Sequence, residues 1–150
     1  MRTVFASIVV VLTVSVVVAA QKPAPIKGPL PKAVALKCTF SSFVATEWKD
    51  DVPQSVTNPQ DFTFQIEMIN LKKKTARIVF GTATAEASAF LTSTGLNVIE
   101  TTPMGNFLMT TVFVAGGQGN TMKAVHSRHL GDLEVPGTAF QHYGTCEVTK

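Results

Sequence analysis

From Ala33 onward the chain runs in short apolar stretches rich in β-branched and aromatic residues, broken by turn residues roughly every ten positions. That rhythm predicts an all-β fold. A first strand is read over Ala33 to Trp48, where Val34, Leu36, Cys38 and Phe40 share one face and Lys37, Thr39 and Ser41 the other. The clearest alternation follows, with Phe62, Phe64, Ile66 and Met68 set against Thr63, Gln65 and Glu67, so that one face is buried and one is wet. Between them, Asp50 to Gln60 holds Pro53, Asn58 and Pro59 and reads as the longest polar connection, a mobile loop.

Asn70 to Lys74 predicts a turn and Thr75 to Phe80 a third strand. Ala83 to Thr92 is mixed, because Ala85, Glu86, Ala87 and Ala89 favour helix while Phe90, Leu91 and Thr92 favour strand; it is read as a strand. Leu96 to Thr101 then leads into Pro103 and Gly105, which fit a type I hairpin turn with glycine at its left-handed position. Asn106 to Val114 is apolar on both faces. After a loop at Gly116, Gly117 and Gly119 come Thr121 to His129 and, past Gly131, Pro136 and Gly137, Ala139 to Val148. About eight antiparallel strands suit an up-and-down barrel, with a β-sandwich as the alternative.

Two features outside the strands shape this picture. Residues 1–20 read as a signal peptide: Arg2 is positive, Val4 to Val18 is almost wholly apolar, and Val18, Ala19 and Ala20 place a cut after Ala20, the alternative being an uncleaved anchor. Residues 21–32, proline-rich and basic, read as an extended tether, which leaves 33–150 as one β-barrel domain. The expected compartment is therefore secreted or periplasmic, with no transmembrane segment in the mature chain. There Cys38 and Cys146, the only two cysteines, should form a disulfide between first and last strands, free buried thiols being the alternative. In the last strand Cys146 shares a face with Phe140, His142, Gly144 and Val148, so both cysteines fall on apolar faces.

Charge excludes one class of partner. The formal net charge is +3, Arg2 leaves with the leader, and Lys72, Lys73 and Lys74 have no interleaved aromatics, so no nucleic acid is expected. The candidate chemistry is a polar cluster of Glu100, His126, Arg128 and His142. A hairpin symmetric about Glu134 places His126 opposite His142 and Arg128 opposite Phe140, bringing two imidazoles together. Two histidines alone make a weak metal site and only parity offers Glu100 as a third ligand, so an internal polar network is the expected role and no metal or cofactor is implied. Ser127 points away from His126, and Asp50 and Asp51 fall in the predicted loop, so no catalytic residue is assigned and an enzyme is disfavoured.

Phe62, Phe64, Met68, Phe107 and Met109 form a candidate apolar lining, or else a packed core. In length, strand rhythm and terminal bridge the chain resembles the exported eight-stranded barrels of the lipocalin and avidin type. Lipocalins pair a glycine and a tryptophan two apart in the first strand; here Thr46 precedes Trp48, so the resemblance reaches architecture and no motif. It implies a non-catalytic module binding a small apolar or amphiphilic ligand, with Asp50 to Gln60 at the rim. The alternatives are a filled barrel that contacts another envelope or extracellular protein, and a metal protein or enzyme centred on the histidines.

Overall fold

The computed structural model describes residues 26–131 and 137–149; the leader, its cut and Glu134 lie outside them. Eight strands follow in order: β1 (Ala35–Lys49), β2 (Val52–Asn70), β3 (Thr75–Phe80), β4 (Ala83–Leu91), β5 (Gly95–Thr101), β6 (Phe107–Phe113), β7 (Thr121–Leu130) and β8 (Thr138–Thr149). Each pairs antiparallel with the next, and β1 pairs with β8 to close a barrel. The sandwich alternative is thereby removed. Cys38 stands directly opposite Cys146 in that closing ladder, and a disulfide joins them with both residues fully buried. No described helix is long and apolar enough to cross a membrane.

Two irregularities decide which side chains enter the barrel. A bulge between Phe40 and Ser42 reverses the alternation of β1, so Leu36, Cys38 and Phe40 face inward and, beyond it, Phe43 and Ala45 do. Gly144 makes this bulge possible: a Cβ there would lie 2.1 Å from the Thr39 carbonyl oxygen and 2.6 Å from the Phe40 Cα. The second break is in β2, where the register with β3 shifts between Glu67 and Asn70 and Met68 takes a positive φ of 52°. Met68 is turned out to solvent and Ile69 is buried in its place, which corrects the expectation of an apolar stripe running from Phe62 to Met68.

The expected loop over Asp50 to Gln60 is also corrected. Asp50 and Asp51 make a tight turn, both with positive φ as a twisted two-residue hairpin requires, and Val52 to Gln60 runs straight into β2. Pro53 and Pro59 are tolerated because this half of β2 has β1 as its only partner, which leaves its other edge free of ladder bonds. The remaining turns follow their chemistry. Gly105 has φ 81° and donates its N–H to the Thr102 carbonyl, and the Thr102 N–H reaches the Asn106 carbonyl. Ala83–Leu91 is a strand despite its alanines, pairing with β3 along its first half and β5 along its second.

One end of the barrel is solid. Leu36, Ile66, Leu96 and Val112 are fully buried there, and the small residues Ala76, Ala89 and Ala124 are buried with them. Burial of each large aliphatic side chain contributes roughly 1.5 to 3 kcal/mol. Leu30, in a short 3-10 turn over Leu30–Lys32, is only 1% exposed and closes this end beneath the barrel. From Ile26 on, the stretch read as a tether therefore packs against the core at Leu30 and Ala33.

Candidate functional site

Strand pairing builds the opposite end from rungs of inward-facing residues. In one rung, Val98, Thr110, His126, His142 and Phe43 stand opposite one another in turn across β5, β6, β7, β8 and β1. The next rung outward is Glu100, Leu108, Arg128, Phe140 and Ala45. His126 thus faces His142, and Arg128 faces Phe140, in the register that symmetry about position 134 gives. Glu100 and Arg128 share a rung with Leu108 between them.

The floor and walls are aromatic. Phe40 stacks on Phe64 at 5.6 Å, Phe62 lies 5.4 Å from Phe64 and 5.3 Å from Phe80, and Phe43 stacks on Phe140 at 5.4 Å, all between ring centroids. Both imidazoles are set into this cluster. His126 lies 5.1 Å from Phe64, His142 lies 4.9 Å from Phe62 and 5.0 Å from Phe43, and the two imidazoles are 5.9 Å apart. The lining borders a half-open cavity of about 250 Å³, bounded by Phe62, Phe64, Ile78, Leu108 and the exposed Phe80, with Glu100, His126 and Arg128 as its polar groups.

These surroundings set the protonation states. Burial, then the neighbouring His142 and Arg128, pushes the His126 imidazole down to about 3, so it is neutral at neutral pH. Its Nδ1 is 2.9 Å from the Thr110 hydroxyl. His142 is lowered in the same direction by burial and by Arg128, and its Nδ1 is buried without a hydrogen-bond partner. The Glu100 carboxyl is raised by burial, with Arg128 pulling the other way. Arg128 is the permanent positive charge of the cavity, and its Nε is buried without a hydrogen-bond partner.

Of the residues read from sequence as a lining, Phe62 and Phe64 border the cavity. Met68 and Phe107 are exposed, and Met109 falls on the outer face of β6, since Thr110 and Val112 are the buried residues of that strand. Corrected on this point, the lining takes Leu108 from β6, and Ile78 and Phe80 from β3, none of which was singled out in the sequence. Apolar residues on both faces of β6 concealed its orientation, while Phe80 follows Ile78 on the same face of β3, in the register that pairs Ile78 with Ile66.

The arrangement offers recognition groups and little reactive chemistry. Ser127 lies on the other face of β7, opposite Met109 and Gln141, and the described cysteines are joined in the disulfide. Among the described residues no group of three or more His, Cys, Asp or Glu side chains could hold a metal ion. The sequence matches no protein-family model and no curated protein.

Proposed function

We propose that this protein is an exported binding module that holds a small apolar or amphiphilic molecule in the aromatic end of its barrel. One observation carries the reading: away from the Leu30 end the barrel keeps a cavity of about 250 Å³, walled by Phe62, Phe64 and Leu108, into which the polar groups of Glu100, His126 and Arg128 converge. A protein acting only through its surface needs no such space. At about 30 Å³ of liquid per water molecule, the volume suits a ligand of roughly eight non-hydrogen atoms. Export is inferred from the apolar leader over residues 1–20 and agrees with the buried Cys38–Cys146 bridge, a bond that persists in oxidising compartments.

Ligand-observed NMR with a panel of compact aromatics, indole, toluene, benzamide and benzoate, tests the proposal. At least one should bind saturably to the parent protein and lose that binding in Leu108→Trp, whose larger side chain fills the cavity. Absence of saturable binding across the panel, or binding indifferent to Leu108→Trp, would refute it.

A further inference from the structure

Resting on that reading, the ligand class can be narrowed through Arg128. The guanidinium carries five N–H donors and no acceptor, and a charge withdrawn from water requires an anion or well-placed acceptors. Arg128 is partly buried on the cavity wall with its Nε unpaired, and Glu100, the acid on the same rung, lies beyond ion-pair distance. The one ion pair within 4.0 Å among the described residues joins Arg77 to Glu86, away from the cavity. On the cavity wall Phe62 lies against both Phe64 and Phe80, so the three rings offer one continuous apolar face to a flat body.

We propose that the cavity selects a compact aromatic carboxylate, its ring among Phe62, Phe64 and Phe80 and its carboxylate on the Arg128 guanidinium. A planar carboxylate matches the guanidinium fork with two parallel hydrogen bonds. A phosphate fits less well, because one cation beside an acid leaves a dianion undercompensated. Neutral His126 supplies an imidazole at the cavity wall and no competing charge. Glu100 opposes the ligand: two carboxyl groups near one arginine repel each other unless a proton is shared between them.

Benzoate and benzamide, alike in shape and different in charge, form the test. The parent protein should bind benzoate about tenfold more tightly than benzamide, the size expected for a hydrogen bond to a charged group. Arg128→Gln should abolish that preference while leaving benzamide affinity within about twofold, with near-ultraviolet circular dichroism confirming that the barrel is intact. Glu100→Gln supplies an independent arm should Arg128→Gln not fold: it should tighten benzoate binding at least threefold and leave benzamide unchanged. Equal affinity for the two probes, or indifference of benzoate to both substitutions, overturns the proposal while the binding reading stands. If none of indole, toluene, benzamide and benzoate binds, both fall together.

Discussion

Acidification should weaken the fold through His126, and the size of the effect can be worked from its surroundings. Its imidazole is 3% exposed, packed against Phe64 and held down to about 3, whereas in the unfolded chain it returns to 6.5. The charged and titratable groups facing it are His142 on β8, Arg128 on its own strand and Glu100 on β5. Below pH 6.5 the unfolded chain takes up a proton that the folded chain refuses, so stability present above that pH is lost as pH falls towards 3. At 1.36 kcal/mol per pH unit, the loss from pH 7 to pH 4 is about 3 kcal/mol from this residue alone. His142, lowered as well, adds in the same direction, while Glu100, raised, opposes it over the window just above its ordinary value.

Urea unfolding followed by far-ultraviolet circular dichroism at pH 7 and pH 4, for the parent and His126→Phe, isolates this contribution. Phenylalanine keeps the aromatic packing and removes the titration, and any constant cost of the substitution cancels when the two pH values are compared. The variant should lose about 3 kcal/mol less than the parent between the two pH values. Parallel profiles agreeing within about 1 kcal/mol, or an imidazole titrating near its ordinary value by NMR, would refute the picture of a neutral buried histidine.

Three further outcomes follow from named contacts. Replacing Cys38 and Cys146 together with alanine should cost up to about 5 kcal/mol by the chain-entropy model for a separation of 108 residues, read as a fall in the guanidinium midpoint of about 1.5 M. Gly144→Ala should lower the melting temperature sharply, by about 3 kcal/mol or more in stability, since its methyl group meets the backbone of Thr39 and Phe40; Gly131→Ala, with open space around it, should be nearly neutral. Thr110→Val should cost about 1 to 3 kcal/mol in urea unfolding by stranding the buried His126 Nδ1, and Thr110→Ser should restore most of it.

Strand rhythm and the bridge were legible in the sequence because alternation and cysteine parity are local signals, whereas a sandwich satisfies the same parity and only the β1–β8 ladder decides for closure. The opposition of His126 and His142 followed from a hairpin symmetric about position 134. Bulges were not legible: no glycine marks Met68, whose positive φ turns it outward, and the bulge beside Ser41 is permitted by Gly144, more than a hundred residues away. Asp50 and Asp51 concealed a hairpin turn because neither is the glycine such turns usually show. The cavity was half legible. Phe62 and Phe64 belong to a clean alternation, but Phe80 joins them from the neighbouring β3 and Leu108 from β6, which no single strand records.

The bridge lies across the β1–β8 seam, already held by pairs from Ala35–Thr149 to Thr46–Ala139. Half-way round the ring, β4 and β5 meet over four residue pairs, from Ser88–Ile99 to Leu91–Leu96, as few as join β2 to β3. Amide exchange should be fastest along these two short seams and slowest along the bridged one.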